Sequence, residues 1–262
     1  MIRRLCFTVD VDRDVNESVP GCREAASLRG GVRYTSAEEG SDIILDMLSD
    51  IGMSATFFAE ARTLQNIDVS FGRNEVAMHG LDHEDLTGEL SGVRLSEDDL
   101  NAIMGSSAEI IKERTGRAPK GFRAPYMRTN GAVADAVSKA GMRYDSSQYA
   151  ELKASMHPYD LWNGIKEVPV PETSDADGKR MSAYLWPMHE GKRGSSEYIE
   201  MADILEDGVF VIATHSWHIV ESRAHGMMGK DRKEKNAEDV RKILTSLLDK
   251  GFKPATITEL IK

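Results

Sequence analysis

The sequence is short of cysteine, of long apolar runs and of positive charge, and each shortage closes off a class of protein. Its two cysteines, Cys6 and Cys22, show no pairing pattern and do not make a disulfide framework. No stretch approaches the roughly 18 apolar residues of a membrane span. The start, MIRRLCFTVDVD, carries two arginines but no apolar run of secretory-signal length. A formal net charge of -10 argues against a nucleic-acid scaffold. No block of like charges is long enough for a polyanionic tail. Internal repeats and low-complexity tracts are also missing. The expectation is a cytoplasmic, soluble protein with no nucleic-acid and no membrane partner; oligomeric state is not visible.

What is present is an ordinary globular composition, 40% hydrophobic and 29% charged over 262 residues, arranged in alternation. Strand candidates are RLCFTVD (4–10), SATFFAE (54–60), NEVAMHG (74–80), KGFRAP (120–125), GMRYDSS (141–147), IKEVPVP (165–171), GVFVIATHS (208–216) and FKPATI (252–257). Runs 4–9 and 209–214 are apolar without clean alternation, as strands covered on both faces should be. Helical patterns lie between them. One starts at Ser36 as N-cap, with Glu39 completing a capping box, and stops at Gly52. Others run from Ser96 to Gly116, up to Gly141, from Ser195 to Gly208 and from Asn236 to Gly251, and TITELIK adds a last turn or two. Strand, helix and glycine stop in repetition predict βα units and a parallel sheet. Seven or eight units in 1–262 fit an α/β barrel in one domain, with the irregular residues 13–35 overhanging its catalytic end.

The unusual polar residues fall on this grid with one common property. Asp10 and Asp12 follow the first strand, His79 and His83 the third, Arg123 and Tyr126 the fourth. Asp145 ends the fifth, and His215 and His218 follow the seventh. In a parallel barrel those strand ends share the face where active sites form. His79 and His83 are four apart, which on a helical turn places them about 5–6 Å apart at Cβ, suitable for one metal ion. Asp12 is a candidate third ligand, and such a set leaves positions open for water and substrate. The same residues also fit blander roles: a His-His-Asp hydrogen-bond cluster without metal, an Arg123–Asp145 ion pair, a plain turn at RAPY. Trp186 and Trp217 offer aromatic faces suited to a sugar or ring substrate, or to ordinary packing. His218 could reach the same pocket or face away from it. His157 and His189 read as structural or solvated, His225 as part of a loop, and Asp14 as solvated or paired with Arg13.

In order, FTVDVD, ATFF, EVAMHGLDHEDL, GFRAPY, YDSS, EVPV and ATHSWHI resemble the polysaccharide deacetylase family, also called the NodB-homology domain, from about residue 4 to 257. The resemblance implies a distorted (β/α) barrel, a divalent metal, with zinc as first guess, and hydrolysis of an N-acetyl or other N-acyl group on an amino sugar or oligosaccharide. It implies Asp10 as catalytic base and Asp12, His79 and His83 as metal ligands. It implies Arg123 as holder of the base, the Tyr126 backbone N–H as an oxyanion donor and His215 as general acid. Two features depart from the common pattern. The aspartates are spaced, Asp10-Val11-Asp12, which resembles a branch with cytoplasmic deacetylases and allantoinase-like amidases and points away from cell-wall polymers. Met127 stands where glycine is frequent, narrowing the floor of the site. An allantoinase-like cyclic-amide hydrolase and a non-catalytic metal- or sugar-binding protein are the alternatives.

Overall fold

Every residue from Leu5 to Val11 of the first strand is buried, so this strand needs cover on both faces. In the computed structural model, which describes residues 2–13, 33–223 and 226–261, it lies centrally in a ten-stranded sheet, with parallel strands bonded along both of its edges. The expected strands are β1 (Arg3–Val11), β2 (Thr56–Ala59), β3 (Glu75–Met78), β4 (Gly121–Phe122), β5 (Tyr144–Asp145), β6 (Lys166–Glu167), β7 (Asp207–His215) and β8 (Lys253–Pro254). Their hydrogen-bonded order is β7, β1, β2, β3, β4, β5, β6, all in parallel, with β8 pairing to Arg4 and Leu5 of β1.

The sheet curls into a half-barrel, the distorted form of the expected α/β barrel. Its path ends at two short strands, Ser155–Met156 beside β7 and Tyr159–Asp160 beside β6. Only His157 and Pro158 separate these two in sequence, so the chain itself spans the gap where a regular barrel would have a hydrogen-bonded seam. The expected strand 165–171 divides. Lys166–Glu167 joins the main sheet, while Val170–Ser174 forms a separate small sheet with Tyr149–Glu151 and Arg180–Ser182.

The helices are α1 (Thr35–Asp50), α2 (Ala61–Asn66), α3 (Glu97–Thr115), α4 (Gly131–Lys139), α5 (Trp186–His189), α6 (Ser195–Ala202), α7 (Lys230–Asp249) and α8 (Ile257–Leu260). α3 starts at Ser96 as expected, and Ser96 caps it with Asp99 in a reciprocal box. The box at Ser36 does not form. The α1 N-cap is Tyr34; the Ser36 hydroxyl donates to Glu221 at 2.7 Å, and Glu39 pairs with Lys233. Long-range carboxylate and ammonium partners outcompete the local cap. The helix from Ser195 stops at Ala202, well before Gly208, because Gly208 already belongs to β7. There φ is +114° and an added Cβ would lie 2.0 Å from the Met156 carbonyl oxygen, so only glycine lets the Ser155–Met156 strand approach.

One glycine ties a helix to the strand end that carries the chemistry. Gly40 of α1 packs on the turn after β7, where an added Cβ would sit 1.9 Å from the Ser216 carbonyl oxygen. Gly40→Ala should gain a little helix propensity, yet the collision is with backbone that cannot rotate away. A net loss of about 1–3 kcal/mol is expected, lowering Tm by several degrees in a thermal melt. An unchanged or raised Tm would show that the contact yields.

Candidate active site

Parallel register places the first pair of groups. β1 and β7 run side by side with Asp10 directly opposite His215, and the Ser216 N–H donates to the Asp10 carbonyl at 2.9 Å. Asp12 lies one residue beyond β1, and it lines the same pocket as Asp10, as strand alternation predicts.

His79 follows β3 directly, its N–H bonded to the Ala59 carbonyl at 2.9 Å. Its Nδ1 lies 2.9 Å from the Arg123 carbonyl oxygen. That carbonyl can only accept, so Nδ1 carries the proton and Nε2 keeps its lone pair. His83 reaches the site by a different backbone from the expected helical turn. The chain reverses through Gly80 at φ +79° and His83 itself at φ +54°. The Glu84 carboxylate pins the reversal by accepting from the N–H groups of Leu81 and Asp82 at 3.1 and 3.0 Å. His83 Nδ1 meets the Tyr126 hydroxyl at 2.8 Å, and its Nε2 stands 3.4 Å from Asp12 Oδ2.

Ligand atoms of Asp12, His79 and His83 all lie within 4.8 Å of one another, and all three residues are buried. A tetrahedral ion with bonds of about 2.0–2.1 Å separates its ligand atoms by about 3.4 Å, which is the His83–Asp12 spacing. Burial pushes the pKa of His79 below the ordinary histidine value and that of His83 well below it. Neutral imidazoles are the form that binds a cation. Geometry and donor chemistry therefore fit a divalent ion.

Arg123 is fully buried and fully engaged. Its guanidinium donates to Asp10 Oδ1 at 2.8 Å, to the Thr8 hydroxyl, and to the Ser146 hydroxyl and carbonyl, each at 3.0 Å, and it lies 4.2 Å over the Phe58 ring. Burial alone would raise the Asp10 pKa. Arg123 opposes that, helped by His79, His215 and the Tyr184 hydroxyl, and the carboxyl ends below its usual range. Tyr126 and Met127 are consecutive non-glycine residues at positive φ, +61° and +55°. Each costs about 1–2 kcal/mol, and the Met127 angle shows why glycine would suit that place. Tyr126 and Met127, with Asp10, Asp12, Trp186 and His215, line a pocket of about 340 Å³.

Residues 34–144 match the family model described as Polysaccharide deacetylase. This segment of the chain is similar to the polysaccharide deacetylase family. A Helicobacter pylori protein named Peptidoglycan deacetylase is 26% identical over 117 residues, 43% of this chain and 38% of that protein's length. A provisionally named polysaccharide deacetylase from Mycobacterium smegmatis superposes with a TM-score of 0.67 at 22% identity, covering 99% of this chain and 88% of that one. The Puue Allantoinase structure superposes with a TM-score of 0.65 at 15% identity, covering 99% and 89%. These two structures share the fold.

Some residues singled out in the sequence fall outside this pocket. Trp217 and His218 do not reach the pocket: both are 0% exposed. The strand ends at His215, and Trp217–Ile219 form a 3-10 turn that carries them behind the site. There His218 Nε2 pairs with Glu190 at 2.8 Å and Trp217 stacks on His218. Asp145 makes no direct ion pair with His215 or Arg123; it accepts from Ser147, and burial pushes its carboxyl up to about 6 although Arg123 opposes the rise. His189 is buried against Thr214, and His157 is a surface residue facing Asp207. Arg13 binds Glu60 and Asp82; Asp14, His225 and most of 13–35 lie outside the described residues.

Sequence reading missed Tyr184. It forms an isolated bridge to Ala213 of β7, with the Leu185 N–H bonded to the Ala213 carbonyl at 2.7 Å. That places its hydroxyl where it donates to Asp10 Oδ2, with the oxygen 3.1 Å from His215 Nε2. No local motif marks such a residue; only the long-range bridge does.

Proposed function

We propose that the protein is a metal-dependent amide hydrolase that removes an N-acetyl or related N-acyl group from an amino sugar or oligosaccharide. The observation that carries this reading is the convergence of Asp10, His215 and the Asp12–His79–His83 set in one pocket. The similarity of residues 34–144 to the polysaccharide deacetylase family model supports the reaction class. Zinc is the first choice for two imidazoles and a carboxylate.

A divalent cation bound by Asp12, His79 and His83 would polarise the amide carbonyl and acidify the attacking water. Asp10, held ionised by Arg123, accepts the water proton. The Tyr126 backbone N–H donates to the developing oxyanion. His215, on the strand beside Asp10, delivers a proton to the leaving nitrogen from Nε2. Tyr184 joins the two ends of this transfer. Its one hydroxyl proton goes to Asp10, so its oxygen can accept from His215 Nε2–H. After a turnover, Asp10 passes its proton to the Tyr184 oxygen while the Tyr184 proton passes to His215, which restores both groups with no net change.

Tyr184→Phe keeps the ring and removes only that link. The expected result is unchanged metal content and KM, with steady-state kcat lowered about 10²-fold. The first turnover, measured by rapid quench, should slow less. Wild-type steady-state rates in this variant would reduce Tyr184 to packing. The functional reading itself is tested by acetate release from N-acetylated saccharides against ring opening of allantoin. Turnover of allantoin alone would place the protein with the cyclic-amide hydrolases, and full metal content with no turnover of either would favour a binding protein.

A further inference from the structure

Two of the three candidate metal donors stand outside regular structure. Asp12 lies one residue beyond β1, and His83 sits in the reversal after β3 with φ at +54°. A non-glycine residue keeps that backbone conformation only where its surroundings hold it. The peptides that carry both donors therefore need an anchor.

Arg13 connects them. Its N–H belongs to the peptide that joins it to Asp12, and it donates to Glu60 Oε2 at 3.0 Å. Its guanidinium donates to Glu60 Oε1 from Nε at 3.1 Å and again from Nη2. The same Nη2 reaches Asp82, the residue just before His83. Glu60 is fully buried, and the Thr63 hydroxyl, at 2.8 Å, also donates to it. The backbone beyond Glu60 adds to the tie, because the N–H groups of Ala61 and Arg62 donate to the carbonyls of Gly80 and Leu81 at 3.1 and 2.8 Å. One side chain thus joins the Asp12 peptide to the turn between the two histidines, across the end of β2, which separates β1 from β3.

The sign of the charge makes this a matter of geometry rather than attraction. A cation beside a cation site repels the ion. Glu60 and Asp82 offset the charge of Arg13. What it contributes is the planar, several-pronged donor set of a guanidinium.

We propose that Arg13 is a positioning residue for the metal site, clasping the Asp12 and His83 segments together through Glu60 and Asp82. The proposal rests on the metal-dependent reading but not on the substrate. Its test is zinc affinity, measured by dye competition on folded protein without substrate. Arg13→Gln should weaken binding about 10–100-fold, as loss of groups that orient ligands does, and Arg13→Lys should weaken it less. On charge alone, removing this cation would tighten binding, so unchanged or tighter binding in Arg13→Gln overturns the clasp. Should that variant fail to fold, the partly exposed Asp82 decides. Asp82→Ala leaves the Arg13–Glu60 pair intact and should weaken zinc binding roughly tenfold, while Asp82→Asn, which keeps an oxygen acceptor for Arg13, should bind nearly as wild type does. Equal loss in these two variants, or none in Asp82→Ala, overturns the clasp. No zinc uptake by wild type would end the metal reading and the clasp together. Zinc uptake without acetate release from any saccharide would end the deacetylase reading alone, and the affinities would still decide the clasp.

Discussion

Asp10→Asn is expected to retain its metal and to lose turnover by about 10²–10⁴-fold. An amide has no basic lone pair for the water proton, but it keeps the shape and an oxygen acceptor for the Arg123 contact at 2.8 Å. Its NH₂ can donate to the Tyr184 oxygen, letting that hydroxyl turn toward His215, 3.1 Å away. The Asp12, His79 and His83 donors are untouched. The substitution does remove the counter-charge of a fully buried guanidinium, so stability should also fall, and rates belong well below the variant's own Tm. Elemental analysis alongside acetate release separates the two effects. Near wild-type turnover in folded, metal-loaded Asp10→Asn would take the role of base away from this residue.

His79→Ala should do the reverse and empty the site. The substitution removes one of three protein donors from a set whose members lie within 4.8 Å. Loss of groups that merely orient ligands weakens metal binding about 10–100-fold, so loss of a ligand itself should weaken it by more than about 100-fold. The fold should tolerate the change better than most buried losses. The strand pairing of Met78 with Phe122 and the Arg123 N–H bond to the Met78 carbonyl use backbone alone. Competition with a metal-sensitive dye measures the affinity directly. Stoichiometric tight binding by the variant would exclude His79 from the ligand set.

The two predictions concern residues that were legible in the sequence, and the reason is physical. β1 and β7 are covered on both faces, so their apolar runs are long and their polar ends conspicuous. Charged groups at the ends of such strands must meet a partner or a cation. His79 and His83 were legible as a pair although the backbone between them was misjudged. A reversal through Gly80 and a left-handed His83 brings the rings to 5.2 Å, near what a helical turn would give. Three kinds of residue resisted. Trp217 and His218 were misplaced because strand alternation stops at Ser216, whose backbone is already helical at φ -62° and ψ -49°. Ser36 and Glu39 were taken by Glu221 and Lys233, from chain segments almost 200 residues away. Tyr184 depends on a bridge to β7 that no local pattern announces. The half-barrel agrees with the distorted barrel that the resemblance implies; the place of its gap, spanned by His157 and Pro158, has no local sequence signal.

Spacing within Asp10-Val11-Asp12 has its explanation in the same terms. Residues two apart share a face of an extended chain, so Asp10 can stand against Arg123 and Tyr184 while Asp12 joins the two histidines. The proposed base and the proposed metal ligand are thereby kept separate but adjacent.

The measurement that meets the central claim most directly is acetate release from an N-acetylglucosamine oligosaccharide by protein stripped of metal, then titrated with zinc. Stripped protein should be inactive, and one equivalent per chain should restore full turnover, with the metal content following activity throughout. Equal activity before and after stripping, or no acetate at full occupancy, would contradict it.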